Sequence, residues 1–243
     1  MIFWLRAAPE EYWFPDPAGA LTEPNGLLAA GGDLSPSRLL EAYRRGIFPW
    51  YEAGQPILWW SPDPRAVLWP ADLHVSRRLA RRLRSDVFRV SIDQDFAAVV
   101  TGCADRGPDI GTWITPAMER AYNRLHALGH AHSVEVWRGD MLAGGIYGVA
   151  LGRVFFAESM FSAVTDASKV ALACLTRFLQ GHRFCLIDCQ LPSAHLSRLG
   201  CREMSRREFL GCVEKWCRQP AAPMRWPRPP AHPMRFMDGG DDD

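Results

Sequence analysis

The sequence lacks several features that would assign the protein to a class at once. No apolar run reaches the roughly 18–20 residues of a membrane span. The first residues, MIFWLRAAPEEYWF, lack the basic flank and apolar centre of an export signal. Seven cysteines are present, but no two of them form a C-x-x-C pair. We therefore expect a cytoplasmic protein that does not enter the membrane and that has reduced thiols and no metal site.

The composition is that of a folded protein with little excess charge. Of the 243 residues, 48% are hydrophobic and 23% are charged, which is enough for one large or two small packed domains. A formal net charge of +1 argues against a protein that coats nucleic acid indiscriminately. Residues 233–243 end in DGGDDD, and we expect a disordered acidic tail there, because Pro, Gly and like charges do not nucleate a packed element.

The sequence pattern changes near residue 62. Residues 1–62 are rich in Pro, Gly and Trp and contain one predicted helix, which begins after Ser35 and ends at Gly46. This pattern predicts a small irregular N-terminal domain over 1–62 and a second domain over 63–232. In the second domain we predict strands near 89–93, 133–137, 142–150, 154–160 and 184–189, and helices near 95–104, 116–128, 167–180, 194–199 and 206–217.

The order of these elements predicts an α+β fold. The three strands from 133 to 160 have tight connections, which indicate an antiparallel meander. The strand–helix–strand unit that follows indicates a locally parallel pair, because a helical crossover returns the chain in the same direction. The second domain is therefore predicted to have a mixed β-sheet flanked by helices.

One predicted helix carries a concentration of positive charge. It follows Ser76 and reads RRLARRLR, with Leu79 and Leu83 on an apolar stripe. We expect these arginines to have no acidic partner, so they repel one another unless a polyanion joins them, and arginine forks match phosphate. A solvated face in an arginine-rich chain is the alternative. The candidate phosphate contacts are Arg77, Arg78, Arg81, Arg82 and Arg84.

Polar residues also mark the ends of two predicted strands. Glu158 lies among apolar residues in FFAESMFS, and LIDCQ places Asp188 and Gln190 two residues apart on one face of a strand. An acid beside an amide can orient an amine and polarise a carbonyl, two tasks that acyl transfer requires. A structural aspartate in a salt bridge is the alternative interpretation of Asp188.

Longer motifs resemble a known family. The runs EPNGLLAAGGDLSPSRLLEAYRRGIFPWY, ILWWSPDPRAVLWP, GTWIT, LGHAHSVEVW, GGIYGVALG, FFAESMFS and LIDCQ occur in the order typical of the leucyl/phenylalanyl-tRNA–protein transferases, from about Phe14 to about Leu210. The resemblance implies a small N-terminal domain packed on a GNAT-type acyltransferase domain. It also implies a protein that moves Leu or Phe, with Met as a further candidate, from aminoacyl-tRNA to the N-terminal Arg or Lys of proteins, which marks them for degradation. We expect the protein to be a monomer, although the sequence does not determine its oligomeric state.

The same resemblance implies the roles of individual residues. Asp188 and Gln190 match the catalytic pair, in which we expect Asp188 to hold Gln190 and to relay a proton while Gln190 contacts the amine. Trp50 and Trp113 match tryptophans near the terminal adenosine and the acceptor. Glu158 is expected to meet the acceptor's positive charge or a ribose hydroxyl. The other substrate contacts are Tyr43, which shapes that site, and a donor side-chain slot formed by Ile146, Phe155, Ala157, Met160, Leu172 and Ile187.

Two other functions compete with this interpretation. A coenzyme A-dependent acetyltransferase would need a Q/R-x-x-G-x-G/A loop before the helix near 167, but FSAVTDASKVA contains no glycine there. A non-catalytic tRNA-binding module would explain the arginines but not a D-x-Q motif beside an apolar slot. No cofactor is expected, because an aminoacyl ester is already activated and the chain has no G-x-x-x-x-G-K-[ST] loop for ATP.

Overall fold

Two β-sheets organise the chain in the computed structural model, which describes residues 2–7, 12–105, 107, 111–220 and 226. The predicted acidic tail at 233–243 lies outside the described residues. The first sheet has four strands and the second has seven, and the chain passes from one to the other between Trp60 and Arg65.

The N-terminal sheet is more regular than the sequence predicts. Its strands are only two to five residues long, which is too short for an alternating pattern to be recognised. The helix begins as predicted, because the Ser35 hydroxyl accepts a hydrogen bond from the Arg38 amide. The elements in chain order are β1 (Phe3–Leu5), β2 (Leu27–Gly31), α1 (Pro36–Arg44), β3 (Phe48–Pro49) and β4 (Leu58–Trp60), and the strand order is β1-β2-β4-β3.

The second sheet confirms the predicted α+β class, since it mixes antiparallel and parallel strands and has helices packed against it. The elements are β5 (Arg65–Leu68), α2 (Arg77–Leu83), β6 (Arg89–Ile92), α3 (Phe96–Ala104), α4 (Pro116–Ala127), β7 (Ala131–Arg138), β8 (Met141–Leu151), β9 (Val154–Ser162), α5 (Ala167–Gly181), β10 (Leu186–Gln190), α6 (Ala194–Ser197), β11 (Arg202–Met204) and α7 (Arg206–Cys217). The strand order is β11-β5-β10-β9-β8-β7-β6.

The predicted connections of this sheet are confirmed. Strands β7, β8 and β9 form the antiparallel meander, and β9 and β10 are the parallel pair joined by α5. Strands β5 and β11 were not predicted. Both are short: β5 pairs with β10, and β11 pairs with β5, so neither pairs with its neighbour in sequence.

Two β-bulges interrupt neighbouring strands of this sheet. Tyr147 of β8 pairs with Ser159 and the next residue pairs with Ala157, so Glu158 is the extra residue of β9. On β10 the pairing with β5 skips Cys189 in the same way. Bulges re-aim side chains and are common beside active sites. The two bulges therefore mark the part of the sheet where function is expected.

The apolar core forms two clusters. One joins the N-terminal sheet to the second sheet and includes Trp59, Tyr43 and Phe156. The other lies against α5 and includes Leu172, together with Trp226 from the C-terminal segment. Within the described ranges, no helix has both the length and the apolar character needed to cross a membrane.

Gly148 is required by the bulge in β9. A Cβ at this position would collide with the carbonyl oxygen of Phe156 and would lie 2.6 Å from the Phe155 ring. We expect Gly148→Ala to destabilise the protein by about 1–3 kcal/mol, because backbone and a packed ring must both move. Thermal unfolding should then show a Tm lower by several degrees.

The matched control for this variant is Gly181→Ala at the end of α5, where an added Cβ would have no described atom within 4 Å. This control should keep the parental Tm or raise it slightly. Equal melting temperatures for both variants would show that the bulge does not depend on glycine.

Candidate active site

A buried ion pair lies at the centre of the site. The Nε of Arg65 donates to Oδ1 of Asp188 at 2.8 Å and its Nη2 donates to Oδ2 at 2.6 Å, and both side chains are fully buried. The guanidinium also lies between two rings, at 4.8 Å from the centroid of Phe48 and 4.4 Å from that of Phe209. The pair joins β5 to β10 and contacts both the N-terminal sheet and α7.

Asp188 has a second task, because its Oδ1 also accepts a hydrogen bond from the backbone amide of Gln190 at 2.9 Å. Gln190 has a left-handed φ of 63°, a conformation that a residue with a side chain adopts only when its surroundings hold it there. Asp188 thus holds Gln190 through the main chain. Its carboxylate is neutralised by Arg65 and has no contact with solvent.

A chain of hydrogen bonds continues from Gln190 into the interior. The Nε2 of Gln190 donates to Oε1 of Glu158 at 2.9 Å, and the Tyr122 hydroxyl donates to Oε2 at 2.5 Å. The hydroxyls of Tyr43 and Tyr122 lie 2.8 Å apart. Both carboxylate oxygens of Glu158 are therefore held in place by neighbouring donors.

The surroundings of Glu158 change its ionisation. Burial raises its pKa from the ordinary 4.5 to about 7, although hydrogen bonds from Tyr122 and Tyr43 act in the opposite direction. Burial also raises the pKa of both tyrosines well above 10, so they remain neutral hydrogen-bond donors. Glu158 can thus gain or lose a proton near neutral pH, a property that is common among catalytic carboxylates.

Glu158 and Gln190 open into a pocket of about 180 Å³. Of the sequence-predicted contacts, the structure brings together Trp50, Trp113, Glu158 and Gln190 in its lining. Trp50 is 41% exposed and its ring packs against Trp60. Asp188 and Tyr43 are fully buried behind the pocket, where Asp188 accepts a hydrogen bond from the Gln190 amide and the Tyr43 hydroxyl lies beside that of Tyr122. The full lining is Phe48, Pro49, Trp50, Trp113, Glu158, Gln190 and Leu191.

The six residues predicted to form the donor slot also meet in the structure. All six belong to the apolar cluster against α5. The buried ones are Ile146, Phe155, Leu172 and Ile187, and the partly buried ones are Ala157 and Met160. Ile187 pairs with Phe155 across β9 and β10. Ala157 directly precedes Glu158, so this cluster and the pocket adjoin at the bulge.

The arginine helix forms as predicted, with Ser76 as its N-cap and Leu79 and Leu83 buried. One expectation is wrong, because Arg78 does have an acidic partner. It pairs with Asp166 at 3.0 Å, across a sequence separation that local patterns cannot reveal. Of the others, Arg82 is half-buried over the Phe88 ring at 5.6 Å, and three remain exposed, namely Arg77, Arg81 and Arg84.

The start of α5 is arranged unlike a phosphate site. Asp166 precedes the helix, and hydrogen bonds from Lys169 and Arg78 lower its pKa although burial acts to raise it, so the carboxylate is ionised. The amide of Ser168 donates to the Ser162 hydroxyl at 2.8 Å. The Ser168 amide is therefore already satisfied within the chain and is not free to bind a pyrophosphate. In the part of the chain that the structure describes, no three His, Cys, Asp or Glu side chains are grouped to hold a metal ion.

Sequence reasoning missed two residues of the site, Arg65 and Tyr122. Each stands in a segment that otherwise reads as core, Arg65 at the start of the apolar strand RAVL and Tyr122 on the buried face of α4. A charged residue that begins an apolar strand signals a buried partner, because a lone buried charge is very costly. The sequence does not identify that partner.

Two solved structures match part of this chain with little shared sequence. A GCN5-related N-acetyltransferase from Kribbella flavida is 13% identical, with 70% of this chain and 61% of that chain covered and a TM-score of 0.35. The structure of L-PGS from Bacillus licheniformis is 8% identical, with coverages of 68% and 53% and a TM-score of 0.40.

Sequence relatives cover nearly the whole chain. Residues 67–214 match the family model described as leucyl/phenylalanyl-tRNA protein transferase, and residues 32–63 match that of its N-terminal domain. A leucyl/phenylalanyl-tRNA–protein transferase of Azoarcus sp. (strain BH72) is 56% identical over 93% of this chain and 95% of its own length. One from Pseudomonas aeruginosa (strain LESB58) is 55% identical over 90% and 97%. The chain therefore belongs to the leucyl/phenylalanyl-tRNA–protein transferase family of aminoacyltransferases.

Proposed function

We propose that this protein transfers Leu or Phe, with Met as a further candidate, from aminoacyl-tRNA to the N-terminal amine of proteins that begin with Arg or Lys. The modified proteins would be marked for degradation, and the enzyme would act as a cytoplasmic monomer. One observation carries the proposal: Glu158 and Gln190 lie side by side in a pocket that is also lined by Trp50 and Trp113.

The reaction needs positioning more than strong chemical activation. The amine attacks the ester carbonyl, a C–N bond forms, and the ester C–O bond to the ribose breaks. An N-terminal amine has a pKa of about 7.7–8.0, so an appreciable fraction is already neutral. Holding the amine against the carbonyl therefore accounts for most of the expected acceleration.

We assign the proton to Glu158. It lines the pocket and its pKa is about 7, so it can take a proton from the attacking nitrogen and return it to the leaving ribose oxygen. Gln190 lies within hydrogen-bond distance of Glu158 and contacts the amine. Asp188 acts as a positioning residue, because its two oxygens already accept hydrogen bonds from Arg65 and from the Gln190 amide.

The donor binds through three features. An exposed indole such as that of Trp50 offers a platform for the terminal adenine, with Trp113 beside it in the pocket. The donor side chain enters the apolar cluster at Ala157, next to the reacting centre. The exposed arginines of α2 contact tRNA phosphates.

A transfer assay tests the proposal directly. The protein is incubated with Leu-tRNA or Phe-tRNA, or with acetyl-CoA, and with peptides that differ only in a first residue of Arg, Lys or Ala. We expect amide formation with charged tRNA on the Arg and Lys peptides alone. Acetylation would contradict the proposal, as would tRNA binding without any transfer.

The pKa of Glu158 predicts a pH profile. Its raised pKa means that the carboxylate is protonated below about pH 7 and cannot accept the proton, so turnover should fall as the pH drops through 7. Glu158→Gln should lower turnover by about 10²-fold, near the lower end for a positioned acid–base group, and should remove this limb of the profile. The part of the pH profile that reflects ionisation of the acceptor's N-terminal amine should remain. Turnover is measured between pH 5 and 9, a range of about two units either side of that pKa.

Glu203→Gln is the matched control, because Glu203 is an exposed carboxylate on β11. It should keep the parental profile. A limb near pH 7 that persists in Glu158→Gln would assign the titration to another group.

The arginine helix predicts a salt dependence. Arg81→Ala removes an exposed guanidinium that has no ion pair with any described carboxylate. If Arg81 contacts a phosphate, the slope of log affinity for tRNA against log salt should become shallower by about 0.7–0.9. Arg138→Ala, which removes an exposed arginine at the end of β7, should leave the slope unchanged. Equal slopes for parent and Arg81→Ala would exclude the contact.

A further inference from the structure

Two thiols face each other beside the active site. The Sγ atoms of Cys189 and Cys201 lie 3.6 Å apart, and both residues are free cysteines. Cys189 is the extra residue of the β10 bulge and stands between Asp188 and Gln190. Cys201 directly precedes the edge strand β11, on the other side of β5. The pair therefore spans β5, which separates two strands that do not pair with each other.

We propose that Cys189 and Cys201 form a reversible oxidation site, in which a disulfide made by a peroxide-class oxidant lowers transferase activity. Both sulfurs pack against the apolar cluster that also holds the candidate donor slot. The two thiols are thus linked to Asp188 and Gln190 through the main chain of β10, and they contact the donor slot through side-chain packing.

The environment of the two thiols favours attack by Cys201. The hydrogen bond between them lowers the pKa of Cys201 and, together with burial, raises that of Cys189. Cys201 also lies next to the edge strand β11, whereas Cys189 lies on β10 inside the sheet. Since the thiolate is the reactive form, oxidation begins at Cys201.

The chemistry balances with hydrogen peroxide as the oxidant. The Cys201 thiolate attacks one peroxide oxygen, the O–O bond breaks, and hydroxide leaves and takes up the thiol proton to become water. The Cys189 sulfur then attacks the sulfenic sulfur, an S–S bond forms, the S–O bond breaks, and a second water leaves. Two thiols are oxidised and one peroxide is reduced, and a dithiol reductant reverses the change.

The disulfide would disturb the β10 bulge. A disulfide has an S–S length of about 2.05 Å, so the two sulfurs must approach by roughly 1.5 Å from their present separation. That movement pulls Cys189 towards β11. It therefore disturbs two hydrogen bonds of the next residue, from the Gln190 amide to Asp188 and from the Gln190 side chain to Glu158. A misplacement of about 1 Å in a catalytic group can cost up to 10²-fold in rate, so we expect turnover to fall by roughly 10- to 100-fold.

The test combines a chemical readout with an activity readout on the full chain. Reduced parent is treated with hydrogen peroxide, and unreduced peptides are identified by mass. Transfer from Leu-tRNA to an Arg-starting peptide is measured before oxidation, after oxidation and after dithiothreitol. Cys201→Ser removes one partner, and Cys185→Ser, which removes another partly buried thiol, is the matched control.

We expect the parent and Cys185→Ser to form a Cys189–Cys201 cross-link, to lose activity and to regain it on reduction. Cys201→Ser should have parental activity when reduced and should resist inactivation. Absence of the cross-link, inactivation of Cys201→Ser to the same degree, or a cross-link without loss of activity would each overturn the proposal. The activity readout rests on the proposed function. If the reduced parent shows no transfer, the proposed function is wrong. The mass of the unreduced peptides still shows whether the cross-link forms.

Discussion

The buried ion pair between Arg65 and Asp188 is the interaction on which the site depends. Removing two charges from water is costly, and only close pairing with further hydrogen bonds offsets that cost. Here the pair is bidentate and also enclosed by Phe48 of the N-terminal sheet and Phe209 of α7. It therefore joins three parts of the chain at one point. Because Asp188 also accepts the Gln190 amide, the conformation of Gln190 depends on the same pair.

Two β-bulges lie at the candidate active site, one in β9 and one in β10. Each inserts one residue into a strand of the same parallel pair, and the Gln190 side chain donates to Glu158 beside them. Tyr122 and Tyr43 then complete a hydrogen-bonded interior in which Glu158 is only 7% exposed. Burial is what raises the pKa of Glu158, although hydrogen bonds from Tyr122 and Tyr43 act to lower it.

Much of the fold was readable from local sequence. Ser35 and Ser76 mark helix starts, and the structure shows the hydrogen bonds expected of both. The meander and the parallel pair also followed from strand spacing. The resemblance to a known family located Trp50, Trp113, Glu158 and Gln190, which the structure brings into one pocket.

The remaining features depend on contacts between distant residues. Arg65 and Asp188 are 123 positions apart, and the sequence around either residue does not indicate that the other is its partner. Arg78 and Asp166 are separated by 88 positions, which is why the arginine helix was expected to lack an acidic partner. The bulges were equally hidden, because an inserted residue such as Cys189 appears only when the strand is paired with its neighbour.

Asp188 acts by holding Gln190 and not through its charge alone. Asp188→Asn leaves Arg65 buried without a counter-ion and should lower stability by about 3–5 kcal/mol, whereas an apolar pair of similar volume is often neutral. The decisive measurement is the turnover of Arg65→Met/Asp188→Leu at a temperature where thermal unfolding shows it folded. We predict a Tm above that of Asp188→Asn but no recovery of turnover, because the Gln190 amide has lost its acceptor. If turnover of the double variant rose together with its Tm, the ion pair would only stabilise the fold.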